Sequence, residues 1–449
     1  MFRKKFRGLL TPFRNCLCIF TFILLLFVYN VKKSHKEEVL AKIPKSATKY
    51  ISFKEHQKPN PLHIETIKRA IAKYNAEERI KNLDYFGPMK SDAPIFVIFV
   101  DNYMIHLKYL LVSLVQVVGI DDALIIFSHS SFDENVNNLI KQIDFTRVLQ
   151  IFYPYSVQMS PNEFPGFNAG DCPHDMDINT AYSINCTGAD SPDIHGQYRH
   201  PLHAQLKHYW WWTLNKVFEN LSYTKDHKGI FTFLESDVYL AEDFIYMNSH
   251  MKTLSNYVTK CEFLSLENPS FTNFFEKQTY VVDITTWDPK DHSSVLSFDS
   301  SVWSTIASHY YHFCSIDDYS WSRSLYYLSL NRKDGGRFKV ISSSVPRAFK
   351  TNSMTGVYQD IEELNILDVI HNVMYMQERN KGYSFPPFLE VYLNIELEDD
   401  DFVIFDYVDN NGGWSDPRDK NMCNNMTSNK IKKVIMDMNH EFHQYDLNP

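Results

Sequence analysis

The chain has 449 residues, of which 44% are hydrophobic and 15% aromatic, enough to bury one large domain or two smaller ones. With 45 Lys and Arg against 54 Asp and Glu, the net charge is -9, and no basic surplus exists to neutralise phosphates, which excludes a general nucleic-acid binder. The seven cysteines include no Cys-x-x-Cys pair, which argues against a zinc ribbon.

Residues 1–14 carry Arg3, Lys4, Lys5, Arg7 and Arg14 and read as a cytoplasmic tail. An uncharged, mostly apolar run follows at 15–31, just long enough to span a bilayer. The rival, a cleaved signal peptide, lacks its small-residue cleavage site. The preceding charges favour a single-pass anchor with everything after it lumenal. That compartment permits disulfides, and it makes the sequons at Asn185, Asn220 and Asn425 candidate glycan sites. Residues 32–90 are charged, lack a long apolar stripe and read as a stem with one or two amphipathic helices.

Residues 93–100 are an apolar run of buried-strand type, followed by Asp101 and Asn102. Leu107, Leu110, Leu111 and Leu114 then recur at helical spacing. Further strands are expected at 123–127 and 148–153, with a helix at 133–143 between them. Strand, helix, strand, helix, strand is the pattern of an α/β fold with an open, mostly parallel, doubly wound sheet. Asp101 and Asn102 then stand at the crevice end of the first strand, where nucleotides bind. No Gly-x-Gly-x-x-Gly or Gly-Lys-Ser/Thr motif is present, so a nucleotide would be held by side chains and metal.

Residues 160–200 form a long polar segment. Cys172 and Cys186 lie 14 apart within it, so a disulfide there would contribute about 3 kcal/mol on the chain-entropy model. A helix is expected over 205–215. Its Gln205, Lys207 and His208 either line a pocket or belong to a core helix, and three consecutive tryptophans, Trp210, Trp211 and Trp212, cannot all face one side. Phe231, Thr232, Phe233 and Leu234 read as a buried strand that delivers Glu235 and Asp237 to the sheet's C-terminal edge. Carboxylates there suit a hard divalent cation; the plainer reading is a solvated acidic turn.

Several stretches occur in a specific order: Ser160 to Gly166, Asp171-Cys172-Pro173, Cys186, Gly196 to Arg199, Lys207-His208 with the tryptophans, Glu235-Ser236-Asp237, Asp317-Asp318-Tyr319 with Trp321, and Asn411-Gly412-Gly413-Trp414 with Asp416, Asp419 and Cys423. This set resembles the α-1,6-mannosyl-glycoprotein 2-β-N-acetylglucosaminyltransferase (N-acetylglucosaminyltransferase II) family, over roughly residues 92–425. The resemblance implies a GT-A fold at 91–449 and an inverting transfer of N-acetylglucosamine from UDP-N-acetylglucosamine. The acceptor would be the α-1,6-arm mannose of an N-glycan, joined in β-1,2 linkage. It implies a Golgi membrane location as a type II protein, glycoprotein acceptors, Mn2+ as cofactor, and a homodimer as the assembly to test. By position it implies Asp237 as metal ligand. Phe99, Val100, Asp101, Asn102 and Tyr103 fall on one donor-binding segment, and Gln205, Lys207, His208 and Tyr209 on the other. It also implies a disulfide between Cys314 and Cys423.

The departures from that family fall on the chemistry. Its second metal ligand, a histidine, is Lys350 here, and its base, an aspartate, is Ser322. Asp317 and Asp318 are the nearby substitutes for a base. Further family residues are replaced at Tyr103, Ser130 and Asn273, and one cysteine pair is reduced to Cys261. Three outcomes are open: an active transferase, a transferase in which Lys350 stands in for metal as a point charge, or a silent membrane-tethered relative that binds a glycan or a partner transferase. A lumenal hydrolase with paired carboxylates is a weaker rival.

Overall fold

The computed structural model describes residues 36–54, 63–101, 103–258, 261–268, 278–332, 336–351, 359–379, 382–394 and 411–427. The tail, the anchor at 15–31, Asn102 and Asn273 lie outside them. Among the described residues no helix is long and apolar enough to cross a membrane.

The strands in chain order are β1 (Ile95–Val100), β2 (Leu124–His129), β3 (Arg147–Phe152), β4 (Phe231–Glu235), β5 (Val238–Leu240), β6 (Phe263–Ser265), β7 (Val281–Thr286), β8 (Val295–Phe298), β9 (Lys339–Ser343), β10 (Ala348–Lys350) and β11 (Glu390–Leu393). Nine of them form one sheet in the order β11-β7-β9-β6-β8-β4-β1-β2-β3, and β5 pairs separately with β10. The half built from β3, β2, β1 and β4 is parallel throughout, as the sequence pattern predicts. The other half is mixed: β8 runs antiparallel to both β4 and β6, and β7 antiparallel to β9. β6–β9 and β11–β7 are parallel even in this half, so the sheet is mostly parallel as expected, and the antiparallel pairings all fall past β4. Past β4, β8 returns antiparallel beside it, and the helices Ser300–Ser308, Tyr310–Ser315 and Trp321–Leu330 lie between β8 and β9.

β1 is apolar without alternation because both of its faces are covered. Phe96, Ile98 and Val100 pack into one core layer with Leu107, Leu110, Leu111 and Leu114 of the helix Met104–Leu114. Ile95 and Val97 pack into the opposite layer with Trp211 and Leu214 of the helix Pro201–Asn215. The tryptophans divide by helical rotation: Trp211 is fully buried in this layer, and Trp212 is half-buried.

Within the expected stem at 32–90, the described residues 36–54 and 63–90 place side chains in the core layers. Val39, Ile43, Ala47 and Tyr50 are buried in the first core layer. Helix Ile64–Glu77 sets Ile67 and Ile71 against Phe152 and Met159. Lys81 and Val148 exchange backbone hydrogen bonds of 2.8 and 3.2 Å, which caps part of the edge of β3. Apolar residues that are scattered along the sequence read as a spacer, yet one-face spacing of Ile67 and Ile71 is enough to dock a helix.

The two expected disulfides are present, Cys172–Cys186 and Cys314–Cys423, with Cα separations of 5.1 and 5.6 Å. The second joins the region before β9 to the helix Pro417–Met426 across 109 residues. Asn185, Asn220 and Asn425 are all exposed. In the Gly412-Gly413 pair both φ angles are positive, and a Cβ on Gly413 would lie 1.8 Å from the Tyr319 ring. Only glycine can pass there, which brings Trp414 into the core.

Candidate active site

β1 and β4 are parallel neighbours, and the sheet grows away from them in opposite directions. A cavity of about 370 Å3 opens at their carboxyl ends. This is the topological switch point at which open α/β sheets bind ligands. The ends of the two strands supply Phe99, Val100 and Asp101 on one side and Glu235, Ser236 and Asp237 on the other. One wall is aromatic: Trp210 and Trp321 stack with centroids 4.5 Å apart, and Phe99 meets Tyr209 edge-on at 5.6 Å. The facing wall is polar, with Ser293, Ser294 and Lys350.

The backbone fixes the Lys350 side chain at the acids. Lys350 pairs with Val238 across β10 and β5. Thr351 donates to the Asp237 carbonyl from its backbone N–H at 2.7 Å and from its hydroxyl at 2.8 Å. The Lys350 Nζ then donates to Glu235 Oε2 and to Ser294 Oγ, each at 3.1 Å, and lies 4.0 Å from Asp237 Oδ2. Asp237 is buried, and its Oδ1 has no hydrogen-bond partner. Burial pushes the Glu235 and Asp237 carboxyls up, while the Lys350 charge opposes the rise. Burial would lower Lys350, but the Glu235 and Asp237 carboxylates outweigh it and hold the ammonium above its ordinary range. Behind them Glu267 accepts from the Ser294 N–H at 3.0 Å, and burial raises its carboxyl to about 8.

The manganese site that the resemblance implies needs a lone pair beside Asp237. At that position stands an ammonium, which is a donor only. Among the described residues, no group of three or more His, Cys, Asp or Glu is placed to hold a metal ion. With the Lys350 ammonium bonded to Glu235 and 4.0 Å from Asp237 Oδ2, the residues present do not fit the Asp-plus-His metal site that the resemblance implies.

The profile of the N-acetylglucosaminyltransferase II (MGAT2) family matches residues 68–423. The chain belongs to this family. The human α-1,6-mannosyl-glycoprotein 2-β-N-acetylglucosaminyltransferase is 32% identical over 356 residues, covering 78% of this chain and 76% of that protein. The pig protein of the same name is 32% identical over 350 residues, with the same coverage. The Arabidopsis thaliana one is 31% identical over 247 residues, 55% of each chain. A crystal structure of S. aureus TarS 1-349 aligns over 66% of this chain and 76% of that one at 9% identity, with a TM-score of 0.29, too low to carry an argument.

Within the N-acetylglucosaminyltransferase II segments, the structure separates residues that the sequence grouped. Phe99, Val100, Asp101, Tyr209 and Asp237 line the cavity. Gln205, Lys207 and His208 do not. Gln205 Oε1 accepts from the Val157 N–H at 2.6 Å and ties the helix to the segment after β3. Lys207 is fully buried; its Nζ donates to the carbonyls of Ile316 and Asp318 at 3.0 and 3.1 Å and lies 4.3 Å from the Trp414 ring. Burial puts its pKa well below the usual lysine range. His208 Nε2 sits 2.9 Å from Asp419 Oδ1, and Asp419 also accepts from Arg199 at 2.6 and 3.1 Å. The reason is helical rotation. Leu206, Tyr209 and Trp210, at i, i+3 and i+4, form the face toward the cavity, and the polar residues between them point elsewhere.

The positions considered for the base are also engaged elsewhere. Ser322 has its hydroxyl 3.0 Å from that of Ser320, and its neighbour Trp321 is the one that lines the cavity. Asp317 accepts from the backbone N–H groups of Trp414 and Ile194 at 2.6 and 3.3 Å. Asp318 is fully buried and accepts from the N–H groups of Ser320 and Asn411 at 2.7 and 3.1 Å. Both acids bind the Gly-Gly-Trp segment in place. Tyr103 is exposed outside the cavity lining, and its N–H donates to Asp101 Oδ1 at 2.9 Å. Residues given no site role from the sequence are Leu206, Trp210, Trp321, Ser294 and Glu267. The i, i+3, i+4 spacing would have found the first two; no local signal marks Ser294 or Glu267.

Proposed function

We propose that this chain is an inverting transferase of the GT-A type that moves N-acetylglucosamine from UDP-N-acetylglucosamine to the α-1,6-arm mannose of an N-glycan, in β-1,2 linkage. It would act in the Golgi lumen behind an anchor at 15–31. The observation that supports this most is the cavity at the switch point between β1 and β4, inside the stretch that the family matches. In the reaction the mannose hydroxyl oxygen bonds to the anomeric carbon, the bond from that carbon to the diphosphate breaks, and UDP departs with the electron pair. The hydroxyl proton goes to a base within hydrogen-bond reach. The aromatic wall of Tyr209, Trp210 and Trp321 gives flat apolar surface for the donor's base and sugar and excludes water. The leaving diphosphate needs a positive charge facing it. The silent-relative alternative is less favoured, because the family match and the relatives' names both point to a transferase, although Ser322 and Lys350 have changed.

The test is product formation. The full chain in detergent, given UDP-N-acetylglucosamine and an N-glycan with a free α-1,6-arm mannose, should add one N-acetylglucosamine and release UDP. Mass spectrometry and proton NMR of the anomeric signals read the linkage. No product after prolonged incubation, or release of free N-acetylglucosamine alone, would count against the reading.

A further inference from the structure

We propose that Lys350 is the cation that meets the donor diphosphate, and that donor binding by this chain does not require a divalent metal. The proposal deepens the transferase reading and rests on it. Lys350 is the only cationic residue lining the cavity among the described residues. Its placement is built in. β10 and β5 hold its backbone, Thr351 clamps the same strand to the Asp237 carbonyl, and Glu235 and Ser294 fix the ammonium at 3.1 Å each. An ammonium carries three N–H donors. Two are used in these bonds, which leaves a third for a phosphate oxygen. The side chain is 51% exposed, so the head group is reachable from the cavity.

The same geometry works against a metal at Asp237. A divalent ion on that carboxylate would share a cleft with a fixed ammonium 4.0 Å from Oδ2, and like charges so placed repel. The acids at the end of β4 then hold the ammonium in position, where in a metal site they would serve an ion.

UDP binding to the full chain in detergent, measured by calorimetry in EDTA and again in Mn2+, tests this. For the unaltered protein the affinity should agree within about twofold between the two buffers, and the electron paramagnetic resonance of free Mn2+ should not be depleted by protein and UDP together. Lys350→Met should weaken UDP binding in EDTA by roughly tenfold or more, as loss of a charge-assisted contact does. Lys350→Arg, which keeps the charge, should lose much less and guards against a folding defect. Lys350→His should make UDP binding sensitive to EDTA. Binding by the unaltered protein that vanishes in EDTA and returns with Mn2+ would overturn the proposal and leave the transferase reading standing. Lys350→Met binding as tightly as the unaltered protein in EDTA would do the same. If UDP binds in neither buffer, the transferase reading fails, and this proposal with it.

Discussion

Two ionic clusters flank the Pro201–Asn215 helix and differ in one respect. In the Arg199, His208 and Asp419 cluster, the carboxylate is fully buried and both of its oxygens are taken by partners within the chain. In the Glu235, Asp237 and Lys350 cluster, the ammonium is half open and the buried Asp237 Oδ1 has no partner. A buried carboxylate with both oxygens paired holds a fold together; one with an unpaired oxygen at the edge of a cavity leaves capacity for a ligand. The comparison explains why residues that share a motif neighbourhood have different jobs. Lys207 and Lys350 are both lysines near acids, yet one holds two carbonyls and the other faces a cavity.

Removing one member of each cluster should separate the two kinds of site. Asp419→Ala leaves the Arg199 guanidinium and His208 buried without their carboxylate, and should cost about 3–5 kcal/mol of stability in denaturant unfolding. Equal stability of this variant would break the comparison. Lys207→Met strips the donor from the Ile316 and Asp318 carbonyls and should cost about 1–3 kcal/mol, with UDP affinity unchanged in the fraction that folds.

Glu267 makes a smaller, pH-dependent contribution. Its carboxyl is raised from 4.5 to about 8 by burial. Between those values the folded chain keeps a proton that the unfolded chain releases, so this group's stabilisation is complete below about 4.5 and declines as pH rises toward 8. Melting temperature followed from pH 5 to pH 8 should therefore fall more steeply in the unaltered protein than in Glu267→Gln. The smallest stability change belongs to Lys350→Met, below about 1 kcal/mol, because its ion pair with Glu235 is 51% and 38% exposed. A large loss of stability there would place Lys350 with the closed cluster.

Much of the parallel half of the fold was legible. β1, β2 and β3 lie within a few residues of the expected runs, because apolar strands covered on both faces leave a strong local signal. The mixed half was not legible, since the direction of β8 between β4 and β6 depends on how the chain returns, which no short run encodes. The core residues within 36–54 and 63–90 were hard to see for the opposite reason: their apolar side chains are too sparse to look like a core until β3 and the first layer supply the rest of it. Of the residues expected at the site, Phe99, Val100, Asp101, Tyr209 and Asp237 line the cavity, because strand ends and the switch point follow from topology. Gln205, Lys207, His208, Ser322, Asp317 and Asp318 lie outside its lining, because membership of a motif does not say which way a side chain points.

The amino-acid sequence alone pointed to the family, the alternating strands and helices of the parallel half, the Cys172–Cys186 pair, the acids at the end of β4 and, through the resemblance, the Cys314–Cys423 pair. These are local patterns or ordered sets, and they survive without coordinates. Only the tertiary structure decided which polar residues are satisfied internally and which face open space. That depends on hydrogen-bond partners distant in sequence: Asp419 for His208, Ile316 for Lys207, and Glu235 for Lys350. Whether a buried charge belongs to the core or to a ligand is a question of what surrounds it in three dimensions, and the order of residues along a chain does not contain that geometry in readable form.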